Sequence, residues 1–442
     1  MVTPSHSHPH SNQKPYMQKS VNNLFKGDKV IWMVLFFLFV ISIIEVFSAS
    51  SSLSYKGGNY WGPVIKHTGL LLVGLGAAIV LQNIPCKNFR VLTPLLLLFS
   101  FITLVYVLVL GERTNDGARW MSLMGIAFQP SEVGKGALVF AAAQILSSLQ
   151  TEHGAEQRAC KYILITSSFI ILPIALENLS TALLIVIVLL LMMFIGRVPG
   201  KTIGKVMGIF MLAGLVFVVF VLAFGHEEKE QQLADPTVTT TQVVTQSEKR
   251  TGMLHRFDTW KSRILSFLQP KDYPPEDYPI DEKAQEGHSA IAIASAHFFG
   301  KGPGNSVERD YLPQAFSDFI YAIVIEELGL LGAIVVLMLY IILLVRSGKI
   351  ASRCENNFPA YLAMGLSLLL VTQAMFNMLV AVGLGPVTGQ PLPLISKGGT
   401  SSIINCCYIG IILSISRSAK KNETAYEKTA TSRRKLSAAA TS

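Results

Sequence analysis

The chain has 442 residues, of which 51% are hydrophobic and only 15% are charged, and its formal net charge is +9. Soluble domains carry about 25% charged residues, and apolar runs long enough to cross a bilayer core of about 30 Å recur along this sequence. The composition excludes an ordinary soluble protein and predicts an all-α polytopic membrane protein. The sequence has no basic patch interleaved with aromatic residues, so we expect no nucleic-acid partner.

Ten apolar runs predict ten transmembrane helices. They cover residues 30–48, 67–84, 92–110, 131–149, 161–176, 181–196, 206–224, 319–345, 358–382 and 401–416. The fifth and sixth runs are short and only Glu177–Ser180 separates them, so one broken passage is the alternative. Lysine and arginine favour the cytoplasmic side of a membrane. Ten passages place Arg197 and Arg346 on the same side, whereas nine separate them.

The segments outside the apolar runs divide the chain into five parts. Residues 1–29 and 419–442 are polar and are predicted to be disordered cytoplasmic tails. Residues 30–224 contain the first seven helices and 319–418 the last three, and the large loop 225–318 lies between them, outside the cell membrane. Within that loop, His288–Phe299 is small and apolar but too short to cross, which indicates a re-entrant or surface helix.

The large loop ends at Asp318, directly before the eighth apolar run. Two segments rich in glycine and polar residues lead to it, Gly300–Ser306 with its Lys301, and Leu312–Asp318. Polar groups beside lipid are costly and are usually functional. Asp318 is either the N-cap of the following helix or a general base at the lipid–water boundary. Its position alone favours the N-cap.

Glu326 and Glu327 follow Asp318 by eight and nine residues. A helix rises about 1.5 Å per residue, so both carboxylates lie inside the membrane. Carboxylates at that depth rarely face lipid. A polar network with buried cations is at least as well supported as a catalytic role.

A second group of polar residues stands at the start of the fourth predicted helix and in the loop before it. Arg119 can bind a phosphate through two parallel hydrogen bonds. Gln129, Glu132 and Lys135 follow, and Glu132 and Lys135 share one helix face. These residues form either a buried ion pair or part of an anion site.

A third group lies where a loop rich in glycine and proline meets the last helix. It contains Ser396, Lys397, Thr400 and Ser401. The unpaired N–H groups of a helix N-terminus favour an anion. Three polar outer loops next to one acidic residue fit a lipid-linked phosphate substrate better than an ion.

Taken together, these segments resemble the SEDS family of bacterial cell-envelope proteins (FtsW/RodA-like). The matching pieces are Arg119-Trp120, Gln129–Glu132 with Lys135, Gly300–Ser306, Leu312–Ile320, Glu326–Gly329, Pro386–Pro393 and Ile395–Ser401. They occur in order along residues 30–418. The form Gly-Asn-Ser-Val at 304–307 resembles the cell-division branch more than the elongation branch.

The resemblance implies a peptidoglycan glycosyltransferase that polymerises lipid II at the outer face of the bacterial inner membrane during division. The implied partners are a class B penicillin-binding protein and other divisome proteins. Asp318 takes the position of the family's essential carboxylate, which reverses the preference for an N-cap. Asp318 would deprotonate the attacking sugar hydroxyl, and Arg119, Lys135 or a divalent cation (Mg²⁺ or Mn²⁺) would stabilise the leaving pyrophosphate.

The sequence departs from the family at secondary positions. Phe316 stands where a histidine is usual, Asn178–Thr181 lacks a common carboxylate, and Lys397 replaces a common tyrosine. Two alternatives to the transferase stay open. One is a flippase for the same lipid precursor, and the other is a non-catalytic division scaffold, which would not need Asp318 at the membrane surface.

Overall fold

The structure is a computed structural model that describes residues 25–50, 61–110, 112–114, 117–123, 126–224, 261, 265, 284–312 and 315–419. The predictions of disordered tails concern residues that lie almost entirely outside these ranges. The same holds for most of the large outer loop before residue 284.

The described chain is dominated by long apolar helices. They are α1 Lys29–Ser50, α2 Trp61–Leu81, α3 Cys86–Leu110, α4 Pro130–Ser148, α5 Gln157–Glu177, α6 Leu179–Ile195, α7 Gly200–Phe224, α9 Ile320–Ala351, α10 Asn357–Ala381 and α11 Thr400–Ala419, with the shorter α8 Ala284–Ala294 before α9. Each of the ten predicted runs lies on one of these helices. Among the described residues, 8 helices are long and apolar enough to cross a membrane. The polytopic helical architecture is confirmed, and the number of crossings stays a prediction.

Several helices begin before their apolar runs do. The helix α2 starts at Trp61, α3 at Cys86 and α7 at Gly200, each about two turns earlier than hydropathy predicts. Lysine and arginine stems lie along apolar surface while their charges reach water. Helical hydrogen bonding therefore continues into the polar interface, where the hydropathy of the sequence no longer predicts a helix.

The chain breaks between α5 and α6 at Asn178, whose backbone is extended with φ −149° and ψ 94°. The Asn178 side chain accepts a hydrogen bond from the Thr181 backbone N–H at 3.1 Å and thereby caps α6. The fifth and sixth apolar runs are thus two separate helices, and not one continuous helix.

A small sheet that hydropathy did not predict connects α3 to α4. Its antiparallel strands are β1 Glu112–Thr114, β2 Gly117–Leu123 and β3 Ile126–Phe128, in the order β1-β2-β3. Two shorter strands, β4 Gln150–Thr151 and β5 Gly154–Ala155, pair between α4 and α5. Strands this brief carry too few residues for an alternating pattern to be visible.

The centre of the bundle is formed by α4, α10 and α11. In the most apolar stretches of α10 and α11, 72% of the residues are buried, compared with 11% in α7. The helix α9 packs on α10 and is broken at Gly329, where φ is 70° and ψ is −171°. This central group of helices supports the turn that carries Asp318.

Candidate active site

Asp318 lies in a turn, residues 315–318, directly before α9. Its carboxylate is half-buried, and its Oδ1 atom accepts a hydrogen bond from Ser317 Oγ at 2.8 Å. The N-cap residue of α9 is Phe319, whose side chain makes no capping hydrogen bond. Asp318 therefore lies one residue before the N-cap position, and not at the N-cap position that its place in the sequence favoured.

The turn that carries Asp318 is bound from the side by α10. The buried amide of Asn377 donates to the Asp318 main-chain oxygen at 2.7 Å and to the Gln390 main-chain oxygen at 2.8 Å. Gln390 in turn donates through Nε2 to Thr181 Oγ1 on α6 at 2.6 Å. Three other parts of the chain, α10, the loop at Gln390 and α6, are thus linked to the backbone of the candidate base.

Sequence reasoning missed Asn377, Gln390 and Thr181. A signal was present, because Gln373 and Asn377 are amides four residues apart inside an apolar run. Residues at that spacing share one helix face, and polar side chains within a membrane helix usually face the protein interior.

The loop 382–399, between α10 and α11, lies against the same turn. The Ser396 hydroxyl donates to the Ser317 main-chain oxygen at 2.5 Å and accepts from the Leu392 backbone N–H at 2.7 Å. The Lys397 backbone N–H donates to the Phe316 oxygen at 2.9 Å. Ser396 and Lys397, two of the predicted substrate-binding residues, are therefore adjacent to the Asp318 turn.

The Lys397 side chain presents a partly desolvated cation beside this turn. Its Nζ atom lies 5.4 Å from the centroid of the Phe316 ring, a cation–π contact. Burial, and after it the positive charge of Lys66, lowers the pKa of Lys397 below its usual range. Phe316, which stands where the family has a histidine, thus contacts a cation.

Thr400 and Ser401 form the first turn of α11 and are buried. The Ser401 backbone N–H donates to the Gly398 oxygen at 3.0 Å, and Gly399 between them has φ 55°. A helix N-terminus carries a partial positive charge. The start of α11 and Lys397 therefore place positive potential at the same loop.

Leu394 holds the loop in an unusual conformation. Its φ is 68°, which costs a residue with a Cβ atom about 1–2 kcal/mol. The side chains of Leu392, Leu394 and Ile395 are all buried, and Ser42 on α1 donates to the Ile395 oxygen at 2.7 Å. Anchoring by apolar burial maintains the strained backbone next to the site.

Lys135 and Glu132 form a closed pair within the bundle. The Lys135 Nζ atom lies 2.8 Å from Glu132 Oε1 and donates to Gln373 Oε1 at 2.6 Å, and its side chain is 0% exposed. The Gln373 amide donates to the Pro391 oxygen at 3.0 Å. Of the two alternatives, a buried ion pair and part of an anion site, the structure shows the ion pair. Gln373 connects this pair to the candidate site. Gln129 precedes α4 as its N-cap residue and makes no side-chain capping bond.

The segment from Gly300 to Arg309 encloses Glu326 and Glu327. Glu326 accepts from Lys301 Nζ at 2.6 Å, and also from backbone N–H groups of residues 307 and 308 and the Ser306 hydroxyl. Glu327 accepts from the Gly304 N–H at 2.9 Å and lies 3.9 Å from Arg309 Nη1. Both carboxylates belong to a network with two partly buried cations, and the predicted substrate ligand Lys301 is paired within it.

Glycine is required where this segment meets the break in α9. A Cβ atom on Gly300 would lie 2.3 Å from the Glu327 main-chain oxygen, and one on Gly329 would lie 2.3 Å from the Phe298 oxygen. The Lys301 and Gly302 N–H groups donate to the Glu326 and Glu327 oxygens that the break exposes, at 2.9 and 2.8 Å. The glycine-rich loop is a backbone clamp on α9.

Arg119 lies on β2, and the structure describes it through its backbone alone. Within the described ranges there is no group of three or more His, Cys, Asp or Glu residues arranged for a metal ion. The described residues at the Asp318 turn therefore do not form a metal site by themselves.

The fold and the site define the class of protein: a polytopic α-helical membrane protein with a half-buried carboxylate at the mouth of its bundle, beside a desolvated cation. The family model described as "Cell cycle protein" (FtsW, RodA, SpoVE) matches residues 28–421. The chain belongs to this family.

Named relatives extend over nearly the whole chain. A "Probable peptidoglycan glycosyltransferase FtsW" of Coxiella burnetii is 30% identical over 407 residues, which are 90% of this chain and 98% of the relative. "Peptidoglycan glycosyltransferase MrdB" of Escherichia coli (strain K12) is 27% identical over 390 residues, 88% of this chain and 93% of the relative.

Solved structures share the fold. The "Rod shape determining protein RodA" of Thermus thermophilus superposes with a TM-score of 0.58 at 20% identity and covers 89% of this chain and 97% of that one. A chain of a structure titled "Structural coordination of polymerization and crosslinking by a peptidoglycan synthase complex" has a TM-score of 0.64 at 22% identity and covers 89% and 98%.

Proposed function

We propose that this chain is a peptidoglycan glycosyltransferase that polymerises lipid II at the outer face of the inner membrane, with Asp318 as the general base. The observation that carries the proposal is the Asp318 turn itself. Asp318 lies one residue before the N-cap position of α9, and Asn377 and Ser396 fix the backbone around it. A fixed carboxylate is suited to accept a proton from a positioned hydroxyl group.

The proposed reaction is an inverting displacement. The acceptor sugar hydroxyl gives its proton to the Asp318 carboxylate, and its oxygen attacks the anomeric carbon of the donor. The bond between that carbon and the pyrophosphate oxygen breaks, and undecaprenyl pyrophosphate leaves with the electron pair. Positioning and electrostatic stabilisation of the leaving group supply most of the rate enhancement in such a site.

Lys397 and the start of α11 are proposed to hold the pyrophosphate. Lys397 is bound through its backbone to the turn that contains Asp318, so its charge and the base belong to one rigid unit. Lys135 and Lys301 are assigned to structural ion pairs. Arg119 remains a candidate on the strength of its position on β2 beside the bundle.

Transport is less well supported than transfer. A flippase would need a polar transport path, for which the candidate side chains are Lys135, Glu326 and Glu327. Each of them has a charged partner within 4 Å. Closed pairs of this kind provide no open polar pathway across the bundle.

The names of the relatives indicate which partner protein and which cellular process to expect. Several relatives are named FtsW, and one solved relative belongs to a synthase complex whose title joins polymerisation to crosslinking. We therefore infer a class B penicillin-binding protein as partner, action at the division septum with other divisome proteins, and cytoplasmic termini.

The test is glycan polymerisation by the purified chain with its transpeptidase partner and lipid II. Asp318→Asn should abolish polymer. Asp310→Asn, the same chemical change at a carboxylate that is 39% exposed, should leave polymer unchanged. Equal polymer from the wild type and Asp318→Asn would retain the enzyme but remove Asp318 as the base. Translocation of lipid II in vesicles without polymer from any variant would favour the flippase.

A further inference from the structure

A cationic groove lies at the end of the bundle opposite Asp318. It is lined by Gly27, Asp28, Lys29, Arg346, Ile350, Arg353, Ser416 and Ala419. The ends of α1, α9 and α11 meet there, so three lysine or arginine side chains surround one carboxylate.

The groove lies at the depth of lipid headgroups. Beyond its break at Gly329, α9 continues from residue 330 to Ala351, a length of roughly 33 Å at the usual rise, and the bilayer core is about 30 Å thick. Arg346 is the first charged residue after Glu327 on this helix. The apolar stretch therefore ends where the groove begins.

The single carboxylate in the groove, that of Asp28, already has hydrogen-bond partners within the protein. Asp28 Oδ1 accepts from the Val30 and Ile31 N–H groups at 2.9 and 3.3 Å and so caps α1, and Asp28 Oδ2 accepts from Arg346 Nε at 2.7 Å. The two terminal nitrogens of Arg346 have no partner among the described residues, and its side chain is 33% exposed. They can donate to a phosphate in the forked geometry typical of arginine.

Lys29 adds a second cation at the rim. Its side chain is exposed, and it makes no ion pair with any residue in the described ranges. Arg353 follows the C-terminal end of α9 on the same side. The groove thus combines an open cavity, an oriented guanidinium group and further positive charge.

We propose that this groove binds the phosphate of an anionic phospholipid headgroup in the adjacent leaflet. The chain's own C-terminal segment is an unsuitable occupant. Residues 420–442 follow directly from Ala419 and contain six lysine or arginine residues against two glutamates, so their net charge has the same sign as that of the groove. Clusters of basic residues at membrane-helix ends attract anionic lipid.

The experiment is native mass spectrometry of the full-length chain in a zwitterionic detergent, titrated with phosphatidylglycerol or phosphatidylcholine. The wild type should retain phosphatidylglycerol in preference to phosphatidylcholine. Lys29→Gln/Arg353→Gln should bind phosphatidylglycerol about tenfold or more weakly, since each cation near a headgroup contributes measurably. The Asp28–Arg346 pair is left intact in this variant.

The matched control is Lys201→Gln/Lys205→Gln, which removes the same charge from exposed positions at the start of α7. It should bind like the wild type. Equal retention by all three chains would overturn the proposal, and so would displacement of the lipid by inorganic phosphate, which would indicate a site for free phosphate. The single variants Lys29→Gln and Arg353→Gln, each checked for folding by gel filtration, carry the test if the double variant does not fold.

Discussion

The Asn377 amide donates to the main-chain oxygen of Asp318 at 2.7 Å, although the two residues are 59 positions apart in the sequence. The same amide donates to Gln390, so one side chain on α10 joins the turn before α9 to the loop before α11. The base and the proposed pyrophosphate ligands therefore keep a fixed relative position. This relationship gives the first prediction.

Asn377→Ala should lower kcat of polymerisation by about 10–100-fold while leaving the substrate KM within a few-fold, because the base is misplaced although it is still present. Two carbonyl groups lose their donor, and for the buried one, that of Gln390, the loss should cost about 1–3 kcal/mol in stability. Asn356→Ala, at an exposed position that makes no capping bond, is the matched control. An equal loss of kcat in both variants would show that Asn377 has no positioning role.

In the buried pair of Lys135 and Glu132, removing one charge should destabilise the protein more than removing both. Lys135→Met leaves the Glu132 carboxylate buried without its cation, which should destabilise the protein by about 3–5 kcal/mol. The double variant Glu132→Met/Lys135→Met removes both charges and should be more stable than Lys135→Met. Thermal unfolding in detergent measures the difference, and a double variant less stable than the single one would contradict the ion-pair interpretation.

The backbone clamp predicts different costs at two glycines with similar dihedral angles. Gly300 has φ 75° and Gly304 has φ 84°, but a Cβ atom would meet the Glu327 oxygen at 2.3 Å at Gly300 and nothing within 4 Å at Gly304. Gly304→Ala should cost about 1–2 kcal/mol for the positive φ alone. Gly300→Ala should cost substantially more in the free energy of unfolding, and equal costs would exclude the close approach.

Because the pKa of Lys397 is lowered, we expect activity to fall at a lower alkaline pH than an ordinary lysine would allow. Burial and the Lys66 charge disfavour the protonated form, so the ammonium loses its proton at a lower pH than an ordinary lysine. As the pH rises, kcat/KM of the wild type should fall when Lys397 becomes neutral, because kcat/KM reports groups of the unliganded enzyme. Lys397→Arg keeps its charge and should extend activity to higher pH.

Two further variants test that assignment. Lys66→Gln removes the second cause of the shift and should move the alkaline limit of kcat/KM upward. Lys205→Arg, at the opposite end of the bundle, should leave the pH profile as in the wild type. An unchanged profile in Lys397→Arg would show that the Lys397 charge does not bind the substrate.

The positions of the helices could be predicted from the sequence alone, because the bilayer imposes long apolar runs and satisfies no backbone polar group. It also singled out Asp318, Ser396 and Lys397, which the structure brings to one turn and one loop. The short sheet between α3 and α4 was not predicted, because strands of three to seven residues show little alternation of apolar and polar residues.

Which polar groups contact each other could not be predicted from the sequence and depends on the packing of the helices. Lys135 and Lys301 looked like substrate ligands, but their partners are carboxylates within the protein. Asn377 was marked only by its position on one helix face with Gln373 inside an apolar run, and Gln390 was not marked, yet both hold the Asp318 turn. The physical reason is that a buried charge or amide must find a partner, and in a helical bundle that partner comes from a distant part of the chain.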